Sequence, residues 1–347
     1  MSRDAAIGLF SGGLDSILAC RMIQAQGITV LALKFVTPFF DDHLLARREE
    51  YCAEILRKYG ITVQVVDCGL EYMELLKNPK YGFGKNFNPC VDCKIFMLTR
   101  ARKMMADAGA AFLITGEVLG QRPMSQRRDT LRVIERESGC EDILLRPLCA
   151  RRLPETKPER EGVVDRERLL DFTGRGRRRQ MELAEEFGIR EYPAPAGGCI
   201  LTDPNLGGRI DRYYRDRFAS GNGRLRENDI RLLLLGRQFH LPGGHWFILG
   251  RNQQENDRIQ TLADEEDWVL TMTERPGPTG LARRPPLSLD QPAGDELCRL
   301  AAGLVVRFGG KKEGRGSRAE VRVRQAGNAS KMIVEPLEDS RFLDWRF

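Results

Sequence analysis

Short apolar runs alternate with longer amphipathic segments in the first third of the chain. The apolar runs predict strands at residues 5–10, 28–36, 61–67 and 112–115, and the amphipathic segments predict helices at residues 14–26, 44–59 and 94–108. Strands that alternate with helices form a parallel sheet with helices on both faces. We therefore predict an α/β, Rossmann-like parallel sheet whose ligand site lies beyond the carboxyl ends of its strands.

The pattern changes after Pro204. Shorter strands are predicted at residues 246–249, 268–272 and 303–308, and residues 275–292 are rich in proline, glycine and arginine. The polar stretch at residues 151–161 is interpreted as a surface loop, because an apolar-periodic segment follows it. We therefore predict two domains, residues 1–204 and a smaller α+β domain at residues 205–347.

Composition limits the cellular location and the possible partners of the protein. No apolar run in the 347 residues reaches the length of a membrane span, so we expect a cytoplasmic protein with no membrane partner. Nine cysteines scattered along such a chain do not suggest a disulfide framework, and in a reducing compartment clustered cysteines point to metal or redox chemistry. The net charge of +6 permits a polyanionic partner without requiring one.

A glycine-rich turn lies between the first predicted strand and the first predicted helix. It contains Ser11, Gly12, Gly13, Asp15 and Ser16 in the order SGGLDS. Glycines let backbone N–H groups approach an anion, the helix N-terminus adds a favourable dipole, and Asp15 can hold a magnesium ion or its waters. An ordinary strand–turn–helix junction with a capping side chain is the alternative.

The turn resembles the SGGxDS signature of the PP-loop family. This resemblance implies cleavage of ATP to AMP and pyrophosphate, with adenylate placed on a carbonyl oxygen. A second segment, TGEVLGQ, resembles the TGE…GQ segment of 4-thiouridine synthases of the ThiI type and assigns Gly116, Glu117 and Gln121 to nucleotide binding. Arg146-Pro147-Leu148 is similar to a segment of the same family, whereas the three residues after Gln121 depart from its pattern.

Three cysteines select the branch of the family. Cys90 and Cys93 form the C-x-x-C of an NPCVDC segment at a predicted helix start, and Cys199 follows two glycines. Both segments resemble sulfur-transfer members, including 2-thiouridylases of the MnmA type. The resemblance implies either a [4Fe–4S] cluster held by the three thiolates or a Cys93–Cys199 persulfide pair. We favour the cluster, and we expect the helix dipole to lower the pKa of the C-x-x-C thiols.

The partners follow from the same resemblance. Two arginine clusters, at residues 122–132 and 175–179, would neutralise RNA phosphates near the site. Residues 235–239 and 250–257 resemble the RNA-binding domain of NFACT-type proteins. We therefore predict a tRNA sulfurtransferase that uses ATP, Mg²⁺, a sulfide or persulfide donor and tRNA, and the prediction allows a homodimer. The alternatives are an amide-forming PP-loop ligase and a non-catalytic RNA-binding protein.

Overall fold

The computed structural model describes residues 5–194, 199–218, 225–285, 292–309 and 318–346. The chain forms two compact units, Met1–Leu225 and Arg226–Phe347. No helix within the described ranges is long and apolar enough to cross a membrane.

The first unit alternates strands and helices. In chain order its elements are β1 (Ala5–Leu9), α1 (Leu14–Gln24), β2 (Thr29–Val36), α2 (Arg48–Tyr59), β3 (Thr62–Asp67), α3 (Gly69–Leu75), α4 (Cys90–Met104), β4 (Phe112–Thr115), α5 (Arg128–Ser138), β5 (Leu144–Leu145), α6 (Lys157–Arg160), α7 (Arg178–Glu186) and α8 (Pro204–Phe218). The sheet has the order β3-β2-β1-β4-β5, and its neighbouring strands are parallel. The chain moves outward from β1 to β3 and then returns to the other side of β1. The carboxyl ends of β1 and β4 therefore flank the switch point where ligands bind in such sheets.

Alternating side chains of the parallel strands fill two cores. On one face, Ala6 and Phe112 pack with apolar residues of α1, α2 and α7. On the other face, Ile7 and Leu113 pack with residues of α4 and α5. This burial on both faces explains why the strands have nearly continuous apolar sequences, and it confirms the predicted α/β fold class.

The second unit is built on an antiparallel sheet. In chain order its elements are α9 (Glu227–Leu233), β6 (Arg237–Leu241), β7 (His245–Leu249), α10 (Gln253–Leu262), β8 (Trp268–Met272), β9 (Gly280–Ala282), α11 (Pro292–Arg307), β10 (Ala319–Gln325) and β11 (Asn328–Val334). The sheet order is β11-β10-β8-β9-β7-β6. Helix α11 packs on one face, whereas α9 and α10 pack on the other. The smaller unit is thus α+β, as predicted.

Several predicted elements have different bounds or types. The strand predicted at 303–308 is wrong, because these residues lie in or directly after helix α11, which buries Ala301, Ala302 and Val305 against the sheet. The β-branched valines there favour a strand locally, but packing of a helical face overrides that preference. The helix predicted at 44–59 is a 3-10 turn, Asp42–Arg47, followed by α2. Of the segment at 169–187, only Arg178–Glu186 is α-helical.

The compact first unit extends beyond the boundary predicted after Pro204. Helix α8 packs within it: the Tyr214 hydroxyl donates to the carbonyl oxygen of Met73 at 3.0 Å, and the rings of Phe87 and Tyr214 lie 5.4 Å apart. Helix α8 therefore belongs to the unit with the parallel sheet, in which Ile210, Tyr213 and Tyr214 are buried.

Candidate active site

The predicted phosphate loop joins β1 to α1 and is held by its own hydroxyl groups. The Ser16 hydroxyl donates to the Gly13 carbonyl oxygen at 2.8 Å, and the Gly13 N–H donates to Ser11 Oγ at 3.2 Å. Gly12 has a φ of +85°, which glycine adopts without strain. Gly13 is the N-cap of the 11-residue helix α1. The loop therefore presents a helix N-terminus, where the dipole favours an anion.

Three segments meet at the side chain of Asp15. Its Oδ2 accepts hydrogen bonds from Gln121 Nε2 at 3.1 Å and from Arg177 Nη2 at 3.0 Å. Its Oδ1 is buried and has no hydrogen-bond partner among the described residues. Buried carboxylate oxygens normally have a partner. The role of Asp15 in holding a magnesium ion or its waters stays a prediction.

Gly116 brings the end of β4 against the phosphate loop. A Cβ atom at this position would lie 2.4 Å from the carbonyl oxygen of Asp15 and 2.6 Å from the backbone nitrogen of Ser16. Only glycine permits this approach, because a side chain would displace the loop backbone. The two segments that sequence motifs assigned to nucleotide binding are therefore in direct contact.

The carboxylate of Glu117 is buried among protein groups. Its Oε2 accepts from Arg146 Nε at 3.0 Å and from the Thr115 hydroxyl at 3.2 Å, and its Oε1 lies 3.5 Å from Lys94 Nζ. Burial opposes ionisation, but the charges of Lys94 and Arg146 outweigh it and lower the pKa of Glu117. Glu117 thereby links the nucleotide side of the site to the helix that carries Cys93. Its role in nucleotide binding stays a prediction.

A buried lysine touches the other side of the loop. Lys34 Nζ, at 4% exposure, donates to the Ser11 carbonyl oxygen at 2.7 Å and to Asp41 Oδ2 at 2.6 Å. Asp41 holds this position with a left-handed backbone, φ 58°. The charge of Asp41 also acts on the Cys199 thiol. Lys34 therefore joins the phosphate loop to Asp41.

The fold brings the three predicted cysteines together. Cys90 and Cys93 lie on the first turn of α4, and Cys199 precedes the 3-10 turn Ile200–Thr202. The charges of Cys90 and Cys199 both act on Cys93. The hydroxyl of the buried Tyr72 donates to the Cys93 sulfur, and its ring lies 5.9 Å from that of Phe96.

The helix dipole does not lower the pKa of Cys93. Desolvation by burial raises this pKa to about 11, although the hydrogen bond from Tyr72 and the charge of Lys94 act in the opposite direction. Desolvation also raises the pKa of the Cys199 thiol, even though the residue as a whole is exposed. The expectation of a lowered pKa is therefore wrong for Cys93, because burial of the thiol exceeds the effect of the helix terminus.

The role of Cys90, Cys93 and Cys199 as ligands of a metal or a cluster stays a prediction. Within the ranges that the structure describes, no three His, Cys, Asp or Glu side chains have metal-ligand spacing. The two glycines before Cys199, expected to ease its approach, lie outside the described residues.

Sequence reasoning did not identify Arg177, Lys34 or Tyr72 as individual site residues. Arg177 was one of a cluster at 175–179, yet its neighbour Arg178 pairs with Glu182 on the helix surface. Lys34 did give a signal, because it interrupts a run of buried apolar residues in β2. Tyr72 gave none, since its hydrogen bond to Cys93 depends on the packing of α3 against α4.

The first unit combines a parallel sheet with a glycine-rich turn at the start of a helix, and two family models match the chain. Residues 1–153 match the family model "Thiamine biosynthesis protein (ThiI)", and residues 236–346 match "NFACT protein RNA binding domain". These matches confirm the resemblances that the motifs predicted.

Curated relatives are tRNA-specific 2-thiouridylases. The chain is 23% identical to MnmA 2 of Clostridium botulinum (strain Loch Maree / Type A3), over 64% of this chain and 62% of that protein. It is 20% identical to MnmA 1 of Clostridium botulinum (strain Okra / Type B1), over 98% of this chain and 90% of that protein. The chain therefore spans less than two thirds of the first relative's length.

Among solved structures, the chain is similar to a 4-thiouridine synthetase in complex with RNA and bound ATP. The TM-score is 0.36 at 21% identity, and the similarity covers 61% of this chain and 51% of that chain. No functional conclusion rests on a structural similarity of this size.

Proposed function

We propose that this protein is an ATP-dependent tRNA sulfurtransferase, which adenylates a uridine carbonyl and replaces its oxygen with sulfur. One observation carries the proposal: the phosphate loop and the three cysteines lie in the same unit. Lys34 joins the loop to Asp41, and Glu117 pairs with Lys94 of α4, the helix that begins at Cys90. The relatives named as tRNA-specific 2-thiouridylases support tRNA as the substrate.

In the first step, the uridine carbonyl oxygen attacks the α-phosphorus of ATP and pyrophosphate leaves. The loop from Ser11 to Ser16 would hold the pyrophosphate against the N-terminus of α1. The free Oδ1 of Asp15 would bind the magnesium ion that neutralises the leaving group. The product is an O-adenylyl uridine, whose AMP is a good leaving group.

In the second step, a sulfur nucleophile attacks the activated carbon and AMP leaves. With sulfide as the nucleophile, the net reaction consumes uridine, ATP and sulfide and yields thiouridine, AMP and pyrophosphate. The cysteines would hold or supply this nucleophile. Cys93 and Cys199 are mostly protonated at neutral pH because desolvation raises their pKa values, so they would ionise when they bind an electrophile or a metal.

Cys90, Cys93 and Cys199 would hold a [4Fe–4S] cluster. Three thiolates satisfy three irons and leave the fourth open to bind sulfide, which is the chemistry that such a group supplies. Protein purified without oxygen should then contain about four irons per chain. Full activity of iron-free protein would instead favour a persulfide on one cysteine of the Cys93–Cys199 pair and a disulfide after sulfur transfer.

The second unit offers a basic strand pair for RNA. On β10, Val321 and Val323 are buried, whereas Arg322 and Arg324 are exposed. Arg322 lies directly opposite Lys331 of β11, whose ammonium pairs with Glu320 at 2.9 Å. RNA phosphates would pair with the two exposed arginines. Lys311, Lys312 and Arg315, which precede β10 in the sequence, lie outside the described residues.

The RNA assignment is tested in the intact protein. Replacing Arg322 and Arg324 with alanine should weaken tRNA binding, and the slope of affinity against salt should fall by about one per lost phosphate contact. ATP binding should not change. Arg299→Ala is the control, since Arg299 is exposed on α11 and pairs with Asp295.

The function is tested by mass spectrometry of tRNA nucleosides from a strain that lacks the gene. We expect one thiouridine to disappear and to return with the wild-type protein but not with Cys199→Ala, which should still bind ATP. Cys52→Ala, at a half-buried cysteine of α2, is the matched control. Unchanged thiouridines would exclude the proposal, and ATP-dependent use of ammonia with a carboxylate would establish an amide-forming ligase.

A further inference from the structure

A half-exposed aromatic surface borders the cysteines. Among the described residues, Tyr81, Phe83 and Met124 are exposed by 39%, 38% and 36%, although large apolar side chains usually avoid water. All three lie in or beside the loop that precedes Cys90. The chemistry proposed above uses none of them.

The ring of Phe83 is held flat against a buried neighbour. Phe83 and Phe87 stack with centroids 4.2 Å apart and planes at 21°. Phe87 is 5% exposed and packs in turn on Tyr214 of α8. One face of the Phe83 ring is thus covered by the ring of Phe87, and the side chain keeps a solvent-exposed surface.

Hydrogen bonds connect this loop to the segments of two cysteines. The Asn88 side-chain amide lies 3.4 Å from Cys90 Sγ and 3.4 Å from Met124 Sδ. The Asn86 amide donates to the Thr202 carbonyl oxygen at 2.5 Å, and the Thr202 hydroxyl donates to the Cys199 carbonyl oxygen at 2.6 Å. The aromatic surface is therefore positioned by the same loop that contacts the segments of Cys90 and Cys199.

We propose that Phe83 and Met124 form a stacking platform for the target nucleobase of the RNA, unstacked from its neighbours. The inference rests on the proposed function and adds the surface that holds the base. A base must leave its stack before a carbonyl carbon can reach reactive groups, and an aromatic face is the usual support for an unstacked base.

Charge and size favour a nucleotide over a protein. Lys85, two residues from Phe83, is exposed and has no ion-pair partner in the part of the chain that the structure describes, so it can bind an RNA phosphate. A protein interface needs roughly 800 Å² from each partner. Three half-exposed side chains provide far less than that, whereas a single base needs only one ring and its neighbour.

The test measures thiolation of unmodified tRNA by the intact protein with inorganic sulfide as donor, so that no sulfur-carrier protein is needed. Stacking on an aromatic ring contributes enough affinity that Phe83→Ala should raise the KM for tRNA about 5- to 100-fold. Phe83→Leu should show most of this defect, since leucine keeps the apolar volume but not the ring. Phe83→Trp should retain the wild-type KM.

Two measurements separate the platform from general damage. The KM for ATP should stay unchanged in all three variants, whose midpoint of thermal unfolding should remain well above the assay temperature, and Leu56→Ala, at a 52% exposed residue of α2, should match the wild type throughout.

Equal KM values for tRNA in wild type, Phe83→Ala and Phe83→Leu would overturn the platform and leave the sulfurtransferase standing. The same is true if these variants impair only the reaction driven by a protein donor, because the surface would then bind protein. A wild-type protein that thiolates no tRNA would overturn both.

Discussion

The phosphate loop and the cysteine cluster lie in the same unit but are built differently. The loop is one continuous turn whose hydroxyls bond to its own backbone, and Gly12 supplies the only left-handed residue within it. The cluster has three thiols from two distant segments, and side chains from other elements surround them. Tyr72 of α3 donates to Cys93, and Asp41 acts on Cys199.

This difference shows which part of the site tolerates change elsewhere in the protein. The hydrogen bonds within the loop join residues at most six positions apart, and Lys34 and Gly116 contact its backbone from elsewhere. Distant substitutions that spare these two contacts should leave its shape intact. The cysteines depend on the packing of α3, α4 and the Ile200–Thr202 turn. Changes far along the chain should therefore affect sulfur chemistry before they affect nucleotide binding.

Asp15→Asn tests the nucleotide region most severely. The amide keeps the shape of the side chain but removes the charge that would bind magnesium through Oδ1. We expect formation of AMP and pyrophosphate to fall by about two to three orders of magnitude, measured with saturating ATP and magnesium. Asp129→Asn, at a surface carboxylate that pairs with Arg127, is the control. Release of ADP and phosphate by the wild type would contradict the adenylation chemistry.

Glu117→Gln tests the link between the two regions. Loss of this buried carboxylate leaves Arg146 with Glu135 as its remaining ion-pair partner and removes the carboxylate that faces Lys94, which should lower the free energy of unfolding by about 3 kcal/mol. Because the folded-state pKa of Glu117 is depressed, its stabilising contribution is present at neutral pH and is lost as pH falls through that pKa.

Urea unfolding at several pH values measures this effect. The stability difference between wild type and Glu117→Gln should be largest at neutral pH and should shrink in acid. Glu167→Gln, at an 82% exposed side chain, should be neutral. A difference that does not change with pH would argue against an ionised Glu117.

Arg177→Ala separates the charge of Asp15 from that of its partner. Without the guanidinium, the carboxylate repels the triphosphate until magnesium neutralises it, so we expect about tenfold weaker ATP binding in EDTA. The effect should shrink at saturating magnesium. Calorimetric titration with and without the metal measures it, with Arg178→Ala as the matched neighbour. Equal losses under both conditions would mean that Arg177 binds the nucleotide directly.

Tyr72→Phe should have the smallest effect, and only on the cysteine region. The hydrogen bond from Tyr72 stabilises the Cys93 thiolate, so its loss should raise a pKa that is already about 11. Alkylation of Cys93 in the iron-free protein should become slower at every pH from 7 to 10, by mass spectrometry, while ATP binding stays constant. Faster alkylation would show that Tyr72 shields the thiol rather than stabilising its ionised form.

Parts of this molecule that depend on nearby residues were predictable. The bounds of β1, β3 and β4 follow from short apolar runs. The turn at Ser11–Ser16 could be predicted because its two adjacent glycines permit a tight turn of the backbone. The helix start at Cys90 could be placed within four residues because proline precedes it. The strand predicted at 303–308 failed because a valine-rich run fits both a strand and a buried helix face, and only the sheet beneath α11 decides between them.

The sequence by itself determined the fold class, the phosphate loop and the identity of the cysteines, because each is encoded by periodicity or by a short motif. Tertiary structure decided which distant side chains contact the loop and the cysteines. Arg177 reaches Asp15 across 162 positions of the chain, and Tyr72 reaches Cys93 only because α3 packs on α4. The protonation of Cys93 was also decided there, because desolvation depends on everything packed around the thiol and no local pattern records it.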